Sequence, residues 1–277
     1  MIKFHLLNSE IFTEEKMLQK SAKLNQSVEK VLQIIETMAQ SREPLRLQDI
    51  SMKVKMPSST TLRLINTLMN CGYANQDPNT LRYTLSLKFM EIGSLVSSQL
   101  SIRDIAHPYL VELSKKCKES VCLAIEQNME VVYIDVIDGP DGMLKITQRI
   151  GKIAPIHSTG VGKLMLLNYY SSQIEHMIKT KGMAALTPNT ITTKQELLNE
   201  LKKIKNQGYA LDNEECELGA RCLSVGIKDY TGKIVAGISV SGPVTRMSMN
   251  YIEEIKDIVM DTSGKVSELL AYKEQNK

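Results

Sequence analysis

LQDISMKVKMPSSTTLRLINTLMNCGY, residues 47 to 73, is the stretch whose reading decides the fold of the N-terminal third of this chain. Leu47, Ile50 and Val54 share the inner side of a short helix. Lys55-Met56-Pro57 then turns the chain, and Pro57 opens a second helix, since proline is tolerated in a first turn and Ser58, Ser59 and Thr60 can satisfy free N–H groups there. On that helix Leu64, Ile65, Leu68 and Met69 form the buried face, Ser59, Arg63 and Asn66 lie opposite, and Gly72 closes it. Working outward, Val28, Val31, Leu32, Ile35 and Met38 recur at helical spacing and predict a helix that starts at Ser27 and breaks at Ser41 to Pro44. Downstream, Tyr73-Ala74, the turn Asp77-Pro78-Asn79-Thr80 and the β-prone run Leu81 to Leu85 predict a hairpin. Three helices and a two-stranded wing in this order describe a winged helix-turn-helix, with the helix-turn-helix over about 46–66 and the wing over about 73–86.

Such a module reads DNA with the first turns of its last helix, which must carry short polar side chains and a cation about one turn on. Ser58, Ser59, Thr60 and Arg63 meet that need, Pro57 is counted with them in the DNA-binding set as the residue that opens the helix, and Lys53, Lys55 and Arg82, with Arg46 nearby, are placed to hold phosphates. A Ser/Thr-rich helix start is by itself more often a simple cap; the ordered assembly around it favours DNA. Charge agrees. Residues 1–98 hold 12 Lys+Arg against 9 Asp+Glu, so of the chain totals of 34 and 31 the remainder holds 22 and 22, and the whole excess of +3 lies in the N-terminal third.

At 277 residues, 43% hydrophobic and 23% charged, the chain has the length for two globular domains, and no stretch approaches a membrane span. Glu10, Glu14 and Glu15 interrupt anything like a secretory signal, so a cytoplasmic protein is expected. The five cysteines, Cys71, Cys117, Cys122, Cys216 and Cys222, have neither disulfide nor zinc spacing. No metal and no cofactor is expected.

Beyond the wing, residues 87–101 read as a linker helix, followed by a helix carrying Ile105, Tyr109, Leu110 and Leu113. Val121 to Ile125, Val131 to Val136 and Leu144 to Arg149 read as strands. A Gly-rich segment, 157–163, opens a helix through Tyr170; helices near 171–180 and 194–207, strands 220–228 and 233–241, and a helix from Tyr251 to Tyr272 follow. This is an α+β domain with a largely antiparallel sheet flanked by helices. Gly160-Val161-Gly162-Lys163 is not a phosphate loop: His157 stands where the first glycine of that motif belongs and Leu164 where its Ser or Thr belongs. The segment still precedes a helix, whose free N–H groups suit a small carboxylate. Ser239 and Ser241 share one face of a strand, and Gly237 on that face is expected to leave space beside them.

Taken together, Leu47-Gln48-Asp49-Ile50, Met56 to Thr61, Arg63-Leu64-Ile65 and Leu68 to Tyr73 resemble the DNA-binding domain of the IclR-type bacterial regulators. Pro155 to Lys163, Gly208 to Glu215, Gly219-Ala220-Arg221-Cys222 and Ile238 to Pro243 are similar to the effector-domain motifs of the same family, in the same order, so the resemblance covers about residues 24–272. It implies a winged helix-turn-helix at 24–86, the linker helix at 87–101 and a GAF-like effector-binding domain at 102–277, with 1–23 as an extension whose Phe4, Leu7, Ile11 and Phe12 suggest a helical arm or a self-association surface. It further implies a repressor that binds double-stranded operator DNA as a homodimer or homotetramer, with no membrane partner. A small keto or hydroxy acid, or a related sugar or aromatic acid, would bind at Ser158, Gly160, Val161, Asp212, Ala220, Cys222, Ser239 and Ser241. Three departures bear on detail: Ala220 replaces a larger aliphatic residue, Gly226 a common proline, and Lys55 the frequent turn glycine. Two competing classes are an enzyme using Cys222 or His157 and a DNA-binding protein without a ligand. The first lacks a His close to Cys222 in sequence and has no use for the DNA module; the second does not account for the large second domain.

Overall fold

The structure is a computed structural model that describes residues 25–99, 101–139 and 148–273. The extension at 1–23 lies outside the described residues. The chain divides after Gln99 into two compact units.

The first unit opens with α1 (Gln26–Gln40), capped by Asn25, whose side chain accepts from the Ser27 and Val28 N–H groups. Its buried face is turned by one position from the expected stripe: Ile34 and Met38 are buried and Val31 and Ile35 half-buried, while Val28 and Leu32 stay exposed. Ile34 and Ile35 are adjacent, so the sequence offers two overlapping stripes, and packing selects the one that starts at Val31. Helix α2 (Leu47–Lys53) starts where the Arg46 N–H donates to Asp49 Oδ2 at 3.2 Å, and it buries Ile50. The turn to α3 (Ser58–Asn70) puts Lys55 at φ 53°, the left-handed conformation that the missing glycine would adopt without strain.

Helix α3 buries Thr61, Leu64, Ile65 and Leu68. Strands β1 (Ala74–Gln76) and β2 (Tyr83–Leu85) pair antiparallel, and Leu45 bridges Tyr83. The wing strand begins at Tyr83 rather than Leu81, because Leu81 takes φ 56° in the turn. The linker helix α4 (Lys88–Gln99) is tied to the wing base by Lys88, whose Nζ donates to Cys71 O at 2.9 Å and sits over the Tyr73 ring. Ile34, Ile50, Leu64, Ile65, Leu68 and Tyr83 form the core.

The second unit is a six-stranded sheet in the order β5-β4-β3-β8-β7-β6, every pair antiparallel. Its strands are β3 (Ser120–Gln127), β4 (Glu130–Ile137), β5 (Ile153–Pro155), β6 (Tyr209–Asn213), β7 (Ala220–Lys228) and β8 (Ile234–Pro243). Helices α5 (Ile102–Cys117) and α9 (Met249–Leu269) cover one face around Leu110, Leu123, Leu223, Ile238 and Val259. On the other face α6 (Gly160–Leu166), α7 (Ser171–Lys181) and α8 (Lys194–Gln207) pack around Ala124, Val161, Leu164, Met177 and Leu201. The start of α5 is fastened to β4 through Asp135, 1% exposed, with His107 Nδ1 at 2.6 Å and Arg103 Nε at 3.4 Å.

Local departures have local causes. The helix expected to reach Tyr170 ends at Leu166, where the chain tightens into i to i−3 turns and Asn168 bridges the β8 backbone, donating to Ile234 O and accepting from Ile234 N–H. The last helix likewise stops at Leu269, short of Tyr272. Residues 144–147 of one expected strand lie outside the described residues, and Gln148 and Arg149 are not in a strand. The short edge strands β5 and β6 carry no alternation long enough to reveal them.

Candidate DNA interface and effector cavity

Pro57 is the N-cap of α3, and no side chain caps the helix. Ser58, Ser59 and Thr60 therefore do not act as the caps the sequence suggested; Ser58 and Ser59 are exposed and Thr60 half-buried. Uncapped N–H groups at the positive end of a helix are ready donors to phosphate. Arg63, one turn on, and Lys53 and Lys55, before and within the turn, are exposed as well. Arg82 is placed differently. Its Nη1 donates to Pro44 O at 2.9 Å, tying the wing to the loop before α2 and leaving only its other N–H groups for a phosphate.

In the second unit a cavity of about 170 Å3 runs across the sheet face beneath α6. Six of the eight residues implied by the resemblance line it: Gly160, Val161, Asp212, Ala220, Cys222 and Ser239. Ser158 and Ser241 do not. The Ser158 hydroxyl is fully buried 3.1 Å from Cys216 Sγ, and Ser241 stands behind Ser239 with the two hydroxyls 3.2 Å apart. Ser224 also donates to Ser239 Oγ at 3.0 Å, so three serines from two strands form a buried hydroxyl chain that reaches the cavity through Ser239.

The glycines of α6 are there for closeness. A methyl group on Gly160 would lie 2.5 Å from Ser224 Oγ, and one on Gly162 would run into the carbonyl oxygen of Ile156. Gly237 is likewise filled: a methyl group there would lie 2.7 Å from Val161 Cγ1, so the space expected beside the serines is taken by Val161 and not by a ligand. Thr159 caps α6 by accepting from Gly162 N–H at 3.1 Å. Lys163 is fully buried and paired with Glu215, which removes it from any phosphate role.

Asp212 Oδ1 accepts from Glu215 N–H at 2.8 Å and Cys216 N–H at 3.2 Å, shaping the turn after β6. Burial pushes its carboxyl above the usual range, against the pull of those two N–H groups. Burial also raises Glu215, with Lys163 opposing, and Thr187 and Thr190 fasten this turn through hydroxyls donated to Glu214 O and Glu215 O, each at 2.6 Å. Burial disfavours the thiolate form here, pushing Cys216 up to about 12 and Cys222 well above its ordinary value. His157 is lowered by burial and its Nε2 lies 3.2 Å from Ala184 O, away from any thiol partnership. Among the described residues no group of three or more His, Cys, Asp or Glu is placed to hold a metal ion, and no helix is long and apolar enough to cross a membrane.

Sequence reasoning missed the other wall of the cavity. Tyr133 of β4, Gln148, Lys152, Ile153 and Cys216 line it too. Tyr133 is buried in a strand that reads as ordinary core, and Lys152 lies in an exposed turn that only strand pairing brings to the cavity.

Residues 27–78 match the family described as "IclR helix-turn-helix domain", and residues 94–268 match "Bacterial transcriptional regulator IclR C-terminal". The HTH-type transcriptional regulator XynR of Escherichia coli (strain K12) is 30% identical over 247 residues, covering 89% of this chain and 98% of XynR. The HTH-type transcriptional repressor AllR of the same strain is 28% identical over 259 residues, covering 94% of each chain. The crystal structure of the Thermotoga maritima IclR aligns at a TM-score of 0.59 with 32% identity, covering 89% of this chain and 99% of that one.

Proposed function

Because the chain belongs to the IclR family of bacterial DNA-binding transcriptional regulators, we propose that it represses its target by placing the start of α3 in the major groove of an operator, and that a small organic acid in the cavity of the second unit modulates that binding. The observation that carries the DNA reading is the exposed, uncapped start of α3, with Ser58, Ser59 and Arg63 unobstructed by the rest of the unit. Pro57 sets the entry of the helix, Thr60 and Arg63 reach base edges with the serines, and Lys53 and Arg82 hold phosphates. Repression draws its support from AllR, which is a repressor by name.

The protein acts as a homodimer, or as a tetramer built from dimers. Val28 and Leu32 on α1 and Leu87, Met90 and Val96 around α4 leave large apolar side chains on the surface of the first unit, as a self-association face requires. In the cavity the acid's carboxylate sits on the Gly160 and Val161 N–H groups with Ser239 donating, and a ligand hydroxyl donates to Asp212. Ala220 and Cys222 shape the floor, and Ser158 and Ser241 act through Cys216 and Ser239. The route outward runs from Tyr133 to Asp135, two residues along β4, and through Arg103 and His107 to the start of α5, which follows the linker helix in the chain.

Selection of random-sequence duplexes by the full chain tests the DNA reading. It should enrich a palindrome with half-sites about 10 base pairs, or a multiple of that, apart. Recovery of no sequence above background contradicts it.

A further inference from the structure

The cavity has a second side, across the sheet from Asp212. Strands β5 and β6 are the two edges of the sheet, and the cavity runs between them, so Asp212 of β6 lines one side while Gln148 and Lys152, on the segment leading into β5, line the other. The Lys152 turn is held in place: Tyr133 N–H donates to Lys152 O at 3.1 Å and Gly151 N–H to Tyr133 O at 2.8 Å. Gln148 Oε1 is buried and has no hydrogen-bond partner among the described residues. An unsatisfied buried acceptor costs about 1 to 3 kcal/mol, so this oxygen marks a place where a donor belongs. Lys152 lines the same cavity, and its ammonium has no ion-pair or hydrogen-bond partner among the described residues.

The chemistry of this pair discriminates between ligand groups. A second carboxylate would use the ammonium but offer Gln148 Oε1 no donor. An alkyl end would satisfy neither. A hydroxylated end satisfies both, since hydroxyls can accept from Lys152 and donate to Gln148. Asp212 and Glu217, which also line the cavity, are acceptors and can take further hydroxyl donors.

We infer that Lys152 and Gln148 are specificity-determining residues that select an acid carrying a hydroxyl at the end remote from its carboxylate: a hydroxylated acid several carbons long, rather than a short keto acid. The inference rests on the proposal that the cavity binds an organic acid through Gly160, Val161 and Ser239.

Isothermal titration of the full chain with three probes tests it: glyoxylate, which has no far end; adipate, which has a far carboxylate; and D-gluconate, which has hydroxyls throughout. D-gluconate should bind at least about tenfold more tightly than the other two, since one hydrogen bond to a charged group is worth about 1.5 to 3 kcal/mol. Lys152→Met and Gln148→Leu should each weaken D-gluconate about tenfold and leave any glyoxylate binding within about twofold. Ser239→Ala should weaken every probe that binds. Adipate binding more tightly than D-gluconate, absence of D-gluconate binding at millimolar concentration, or full D-gluconate affinity in both far-end variants would each overturn the inference. In the last case, loss of D-gluconate binding in Ser239→Ala would leave the acid-binding reading standing. Unchanged binding in Ser239→Ala would remove that reading instead.

Discussion

The start of α3 and the cavity of the second unit are built in opposite ways. At α3 the groups proposed to read DNA lie within a few consecutive residues, Pro57 to Arg63, on an exposed helix start whose buried side is carried by Thr61, Leu64, Ile65 and Leu68. Core and proposed reading surface are separate, so the side chains proposed to meet DNA can change without disturbing the fold. In the cavity the lining residues come from β4, β5, β6, β7, β8 and α6, and some of them, Tyr133 and Val161 among them, belong to the core itself. Recognition and stability there rest on the same atoms. The proposed output of this protein is therefore a replaceable surface, and its proposed input is a piece of packing.

Gly162→Val should break that comparison open with the largest effect. A side chain there runs into Ile156, so the second unit should lose more than about 5 kcal/mol and unfold, while the first keeps its helices and its DNA affinity. Urea denaturation of the two units, followed by tryptophans introduced singly into each, checks this. Retention of the second unit's stability would show that the α6 contact is loose.

Next in size is Lys163→Met. Removing one partner of a fully buried pair costs about 3 to 5 kcal/mol because Glu215 is left as an unpaired buried carboxylate. Burial holds the folded-state pKa of Glu215 above its ordinary value of 4.5, so its favourable contribution is complete below that value and is lost as pH rises through the folded pKa. The deficit of the variant should thus shrink as pH is lowered from 8 toward 5. A deficit independent of pH would place the loss in packing rather than charge.

On the other side of the comparison the effects are smaller and leave stability untouched. Arg63→Ala should cost about 1 to 3 kcal/mol on the selected operator and little on random DNA, whereas Lys53→Ala should weaken both alike and reduce the salt slope by about 1. Equal losses on both DNAs for Arg63→Ala would move Arg63 to the phosphate class. The smallest effect is a gain: Lys55→Gly relieves a left-handed residue and should stabilise the first unit by about 0.5 to 1 kcal/mol in thermal unfolding.

The same contrast explains what could be read in the chain. Helix α8 and strand β7 have the spans that periodicity indicates, because their patterns are local. The face of α1 was misplaced by one position because Ile34 and Ile35 make two stripes equally plausible until Tyr83 and Leu64 pack against one of them. In the cavity, Asp212, Cys222 and Ser239 were reachable through the family resemblance alone. Lys152, Gln148, the Lys163–Glu215 pair and the occupation of the Gly237 space by Val161 were not, since each depends on chain segments brought together across the sheet.

The proposed switch requires these two unlike regions to be energetically coupled. The most direct test is the apparent Kd of the full chain for its selected operator, read by fluorescence anisotropy with and without saturating D-gluconate, in the wild-type chain and in Ser239→Ala. A change of about tenfold in the wild type, within the usual range of allosteric coupling, and none in Ser239→Ala is the expected result. An operator affinity that ignores the acid in the wild type, or that responds equally in Ser239→Ala, would contradict it.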